Sequence, residues 1–130
     1  MARLDQEDQG MSLKGTLTEI VENVAGGRAV VIMASDGIPI DQVVVDEGSF
    51  DLQLLSVEYA TLLGDIRRAV ELLKVGEMEE VSTTSGDMCV VLRVLSQELF
   101  VILVMDRDAS LGKGRYLLRL KSYELARMLL

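Results

Sequence analysis

Few residues of this chain have side chains suited to catalysis. The sequence contains no His and one Cys, so the commonest general base and the commonest zinc ligand are missing. Cys89 falls within an alternating strand pattern, where packing is the expected role for a lone thiol. A single Cys cannot form an internal disulfide, which is typical of proteins in a reducing cytosol. We therefore expect no enzymatic activity, no metal and a cytoplasmic location.

Two loop segments match ligand-binding motifs only in part. Gly112–Gly114 reads Gly-Lys-Gly, but a Walker motif needs an earlier Gly at a fixed spacing and a Ser or Thr after the Lys. Arg107 and a glycine stand at those positions. Asp106 and Asp108 could approach a cation, yet the Gly and the closing Glu of a calcium loop are missing. Capping of the following helix is the simpler role, and we predict no nucleotide binding and no cofactor.

Length and charge limit the possible partners. The chain has 130 residues, 49% of them hydrophobic, and a net charge of −8. This length supports one domain with a true core, predicted over residues 11–130 behind a flexible acidic tail at residues 1–10. The negative charge argues against nucleic acid, which needs clustered Lys and Arg. No apolar run reaches the roughly 20 residues of a membrane span, and the N-terminus lacks a signal-peptide core.

The apolar pattern predicts a helix, two strands, a long helix, three strands and a last helix. Residues 29–34 and 99–105 are continuous apolar runs, which is typical of central strands. The segment Glu77–Thr84 is polar, which favours an edge strand or a strand paired across an interface. Short turns favour antiparallel pairing, and apolar central strands must be covered on both faces. We predict a three-layer α/β/α domain (an α+β fold) around one five-stranded antiparallel sheet.

The long helix, predicted over residues 51–74, carries an apolar stripe at the spacing of one helical face. A line of small side chains is predicted on a different face, where it would let another backbone come close. We predict that this line forms the crossing of two long helices in a two-fold homodimer; the alternative is that these positions simply face solvent. The predicted interface residues are Ser56, Ala60, Gly64, Arg67 and Glu71.

Three stretches, VVIMASDGIPI (Val30–Ile40), LSVEYATLLGDIRRAVELLKVGE (Leu55–Glu77) and VILVMDRDASLGKGRYLLRL (Val101–Leu120), carry a resemblance to a known family. In their order and spacing they resemble the Roadblock family of dynein-light-chain-like regulatory proteins, in particular its bacterial MglB-like members. The resemblance covers residues 11–130. It implies a profilin- or longin-like fold with the first and last helices on one face of the sheet and the long helix on the other.

The resemblance also implies a function. Members of this family dimerise through the long helix and the neighbouring strand, and they bind small Ras-like GTPases or serve as scaffolds. We therefore expect a homodimer that docks on a separately encoded Ras-like GTPase and activates it by positioning the GTPase's own groups. The alternatives are a dimeric scaffold that leaves hydrolysis unchanged and, less favoured by the residues, a small enzyme of unrecognised type.

Four cations are the predicted GTPase contacts. A GTPase switch region is acidic around its magnesium and phosphates, so cations on an acidic protein are natural contacts. Arg67 and Arg68 lie on the long helix, and Lys113 and Arg115 lie at the start of the last helix. Lys113, flanked by two glycines, is the strongest candidate. The alternative is that all four are ordinary solvated charges.

Overall fold

The structure is a computed structural model that describes residues 13–48 and 50–130. Its five antiparallel strands lie in the order β2-β1-β5-β4-β3. The element α1 is helical over residues 13–22, and the elements that follow are β1 (Gly27–Ala34), β2 (Pro39–Val44), α2 (Leu52–Leu73), β3 (Glu80–Thr84), β4 (Met88–Val94), β5 (Leu99–Asp106) and α3 (Leu111–Leu129). The predicted fold class and element order are confirmed. The predicted tail, residues 1–10, lies outside the described residues.

The central strand β5 shows why the domain has three layers. All its residues from Phe100 to Met105 are fully buried, because successive side chains of a strand point to opposite faces and both faces are covered. Val101 and Leu103 pack in one cluster with α1 and α3. Ile102 and Val104 pack in the other cluster with α2. The predicted arrangement, with α2 alone on its face, is confirmed.

The helix ends follow the sequence signals. Asp51 caps α2 by accepting a hydrogen bond from the Leu54 amide at 3.1 Å, and Ser110 caps α3 by accepting one from the Lys113 amide at 3.2 Å. Both satisfy a backbone donor that has no partner within the helix. Because Ser110 takes the cap position, the capping role predicted for Asp106 and Asp108 is wrong, and Asp106 Oδ1 instead lies 3.2 Å from Arg28 Nε.

A glycine brings α3 close to the sheet. Gly114 is buried, and a Cβ atom at this position would lie 2.6 Å from Met105 Sδ. A larger residue would force the buried Met105 side chain to move or α3 to shift away from β5. Within the Gly-Lys-Gly run, this glycine therefore has a packing role.

Ser56 and Ala60 face the sheet, contrary to the prediction that they lie on a different face from the apolar stripe. They are 3% and 8% exposed, and Ala60 belongs to the same buried cluster as Leu63. Positions four apart drift by about 40° around a helix, so a line that begins at the sheet with Ser56 reaches solvent at Gly64. The placement of Ser56 and Ala60 on a free surface is wrong. For Gly64, Arg67 and Glu71 a role in dimerisation stays a prediction.

Candidate protein interaction surfaces

The described residues contain no group of three or more His, Cys, Asp and Glu side chains that could hold a metal ion. Cys89, the lone thiol, is 2% exposed and packs in the cluster beneath α1 and α3. None of the helices within residues 13–48 and 50–130 is long and apolar enough to cross a membrane. The features that stand out are strand edges and helix faces.

The β3 edge has backbone groups directed to solvent. The Ser85 amide donates to the Met88 carbonyl at 2.9 Å, and bonding alternates along an antiparallel pair. Counted from Ser85, every second residue of β3 bonds to β4, so the N–H and C=O groups of Glu80, Ser82 and Thr84 point away from β4. In the described part of the chain, no turn or side-chain hydrogen bond reaches those outward groups. β3 is therefore an edge strand, as its polar sequence predicted, and its outward backbone groups are open.

The β2 edge is blocked at Pro39 and Gln42, whereas no turn or side-chain hydrogen bond within the described residues reaches the outward backbone groups of Val44. Its first residue is Pro39, which has no N–H to donate. The outward Gln42 amide donates to Asp41 Oδ1 at 2.8 Å. The Gln42 carbonyl accepts a hydrogen bond from Lys14 Nζ at 3.0 Å, and the same ammonium lies 2.6 Å from Asp41 Oδ1. A strand from another chain would have to displace both groups.

Exposed leucines of α2 lie on the side of the helix that faces the open edge. Tyr59 OH is 2.6 Å from Thr83 Oγ1 on β3, so this side of α2 lies over β3. Leu62 and Leu73 follow Tyr59 at three and fourteen residues, which places them on the same side. They are 38% and 70% exposed. The open backbone edge and the apolar helix side form one surface, which we name the β3 surface.

The structure separates the four predicted GTPase contacts into two pairs. Arg67 is half-buried on α2 and donates from Nη1 to the Gln97 carbonyl at 2.8 Å. Arg68 is exposed, with Nη2 3.4 Å from Asp65 Oδ1. Lys113 and Arg115 belong to α3, which packs on the opposite face of the sheet from α2. The two pairs are not brought together.

Arg115 belongs to an ion-pair cluster that the sequence did not indicate. Its Nε and Nη2 atoms both lie 2.7 Å from Glu80 Oε2. Arg93 Nη1 lies 3.7 Å from the other oxygen of Glu80, and the Glu80 and Arg93 side chains are 17% and 18% exposed. Beside them is a cavity of about 310 Å³ that Tyr116 and Arg119 also line. The cluster fastens α3 to the edge strand β3.

Comparison with known proteins finds similar solved structures. A search of protein-family models finds no match. A search of the curated proteins finds none either. The solved structure of MglC from Myxococcus xanthus is 38% identical, with 89% of this chain and 98% of that chain covered and a TM-score of 0.65. An MglB structure with a tetrameric arrangement has 18% identity, coverage of 91% and 88%, and a TM-score of 0.80. A Roadblock/LC7 domain from Streptomyces avermitilis has 14% identity, coverage of 88% and 94%, and a TM-score of 0.76.

The fold and the surfaces thus define a small α+β domain without a recognisable catalytic cluster in its described residues. The chain belongs to the Roadblock/LC7 domain family. At 38% identity over nearly all of MglC, the sequence carries the relationship; the likeness to MglB, below 20% identity, is one of fold.

Proposed function

We propose that this chain is a non-catalytic regulator that works as a homodimer on a Ras-like small GTPase in the cytoplasm. The observation that carries the proposal is the β3 surface, where an unpaired strand edge lies beside exposed leucines of α2. Such edges associate with a second strand unless they are blocked or covered. The GTPase is the partner that the Roadblock family implies.

The dimer forms when β3 pairs with β3 of a second copy. An isologous contact of this kind satisfies the outward groups of Ser82 and Thr84 on both chains. It also brings Leu62 and Leu73 of α2 towards the partner helix and removes apolar area from water. Gly64, Arg67 and Glu71 lie on the other flank of α2, about 80–140° around the helix from Tyr59, so they are not at this contact. Ser56 and Ala60 are buried beneath α2.

The outer face of α2 is the proposed GTPase contact. Leu54 and Val57 are 58% and 46% exposed there, and Arg68 follows on the same side of the helix. Apolar side chains beside an exposed guanidinium suit a partner with an acidic switch region. Arg67 supports this face indirectly, because its guanidinium holds the turn between β4 and β5 through Gln97.

GTP hydrolysis by the Ras-like GTPase of the same organism tests the proposal. We expect the parent chain to accelerate turnover, and Arg68→Ala to weaken GTPase binding by about tenfold, or roughly 1.4 kcal/mol. Lys113→Ala is the matched control, since it removes an exposed cation from the opposite face and should bind like the parent. Loss with Lys113→Ala and none with Arg68→Ala would move the contact to α3. Absence of binding by the parent would reject the proposal.

A dimeric scaffold is the second candidate, and the contacts that the predicted cations make within their own chain favour it. Three of the four, Arg67, Arg68 and Arg115, already lie against acceptors of their own chain. A scaffold needs no free cation to influence a transition state. It would bind the GTPase and leave its turnover unchanged, so binding and turnover measured on the same samples separate the two functions.

A further inference from the structure

The outward side of α3 carries an apolar and basic stripe that the proposed function leaves unused. Tyr116, Leu120 and Tyr123 are 52%, 53% and 84% exposed. Their spacing of four and three residues places them on one side of the helix. The side chains of this stripe, here named the α3 ridge, are Lys113, Tyr116, Arg119, Leu120, Tyr123 and Arg127.

The charge of α3 is opposite to that of the chain. The helix has five cations and one acid, while the chain as a whole is at −8. Arg115 is paired with Glu80. Lys121 lies 2.8 Å from Glu19 of α1, and that hydrogen bond raises the pKa of Lys121 above its ordinary value. Both of these cations are therefore engaged in holding α3 to its neighbours.

The remaining cations are those of the ridge. Within residues 13–48 and 50–130, Lys113, Arg119 and Arg127 form no ion pair with an acidic side chain. Tyr, with Arg, is among the residues that contribute most to protein interfaces, because the rigid Tyr ring loses little entropy on binding and the Arg guanidinium offers several hydrogen-bond donors in a fixed plane. The ridge combines both types on a rigid helix.

We propose that the α3 ridge docks a second protein, distinct from the GTPase, through an acidic surface with aliphatic side chains. The carboxylates of that partner would meet Arg119 and Arg127, and its aliphatic groups would cover Leu120 and Tyr123. Charge complementarity selects this occupant. The acidic remainder of the protein repels nucleic acid and anionic lipid, which carry negative charge over a large area. A narrow basic stripe therefore favours a partner whose negative charge is confined to a small patch.

The position of the ridge gives it a separate role. α3 lies on the opposite face of the sheet from α2. Occupancy of the ridge therefore leaves the outer face of α2 free, and the proposed regulator could hold the GTPase and the acidic protein at the same time. This last point alone rests on the proposed function; the ridge contact itself does not.

Photo-cross-linking tests the ridge in the cells that produce the protein. Benzoylphenylalanine replaces Tyr123, and in the control it replaces Gln42, which is exposed on the β2 edge. We expect a cross-link at position 123 that is missing at position 42, and mass spectrometry should place it in a segment with net negative charge. A cross-link to phospholipid, to a basic segment, to the GTPase or to a second copy of this chain would overturn the proposal, as would no cross-link above the control.

Direct titration then tests the contact with purified components. The cross-linked segment is synthesised as a labelled peptide and titrated with the full chain by fluorescence anisotropy. Arg119→Glu should weaken binding at least tenfold and Tyr123→Ala about fivefold, whereas Tyr123→Phe should bind like the parent. Equal affinity for all variants would contradict the proposal. GTPase binding by the same variants should match the parent, so a failure of the ridge and a failure of the proposed function give different results.

Discussion

The two edges of the sheet differ in how readily they can pair with another strand, and the difference is the reverse of what their composition suggests. β2 reads PIDQVV and exposes Ile40 and Val44, which would suggest an adhesive edge. Its backbone is nevertheless blocked by Pro39, by the Asp41 carboxylate and by the Lys14 ammonium. The polar strand β3 has no such block. Adhesion of a strand edge depends on free backbone groups as well as on side-chain polarity.

Because their backbones differ in this way, the two edges suit different kinds of contact. β3 can add a strand and so join two sheets through main-chain hydrogen bonds. β2 can be covered through its exposed side chains, but the outward backbone groups of Gln42 in its middle are already engaged. If the account is right, proline at an outward position will matter at β3 and will not matter at β2.

The largest expected effect comes from Ser82→Pro. The Ser82 N–H points away from β4, so proline leaves the ladder within the protomer intact while it removes a donor from the proposed dimer contact and obstructs the approach of a second strand. We expect the dimer dissociation constant to rise at least a hundredfold, or about 2.7 kcal/mol. Sedimentation velocity over a range of concentrations measures it.

Gln42→Pro is the matched control for that change, since the Gln42 N–H also points outward, at the other edge. It should leave the dimer unchanged. Both variants should keep the far-ultraviolet circular dichroism of the parent. A Ser82→Pro protein that remains as dimeric as Gln42→Pro would contradict pairing through β3.

The next effect concerns the carboxylate that fastens α3 to the β3 edge. Glu80→Gln leaves the half-buried Arg93 guanidinium and Arg115 without their shared charge partner. We expect a loss of about 1–3 kcal/mol in the free energy of unfolding, measured by urea denaturation at a fixed protein concentration. Asp41→Asn at the β2 edge, whose partner Lys14 is exposed, should cost less than about 1 kcal/mol. Equal losses would show that the two ion pairs do not differ as described.

A smaller effect is expected when the β2 edge is opened. The double variant Lys14→Ala with Asp41→Ala frees both backbone groups of Gln42 beside the exposed Ile40 and Val44. Weak association beyond the dimer should appear at high protein concentration, because an unblocked apolar edge can pair with another chain. Light scattering of the variant and the parent makes the comparison. A variant that scatters like the parent would show that the two side chains do not guard this edge.

The smallest effect is the pH dependence contributed by Lys121. Its folded pKa is raised by the hydrogen bond that its ammonium donates to Glu19, so the stabilisation is fully present below the pKa of the unfolded chain and is lost as the pH rises through the folded value. The urea midpoints of the parent and of Lys121→Met should therefore differ at pH 8 and converge above the ordinary lysine value of 10.5. A difference that persists unchanged at high pH would argue against this pair.

The order of the elements could be predicted because apolar runs and helical spacing are local properties of the sequence. The strands around Val31 and Ile102 are examples. The position of Ser56 was missed because a spacing of four does not hold to one side of a helix. The contacts that distinguish the two edges could not be predicted from the sequence for another reason. Lys14 meets Gln42 across 28 positions, and Arg115 meets Glu80 across 35, and no local pattern encodes such pairs.

Amide hydrogen exchange along β3 shows whether two copies of the protein pair through this edge. In a dimer joined through this strand, the outward amides of Ser82 and Thr84 should be protected at high protein concentration and should lose that protection on dilution below the dissociation constant. The inward amides of Val81 and Thr83, which bond to β4, should stay protected at both concentrations and serve as the internal reference. Outward amides that exchange at the rate of an open peptide in the concentrated sample would contradict the account.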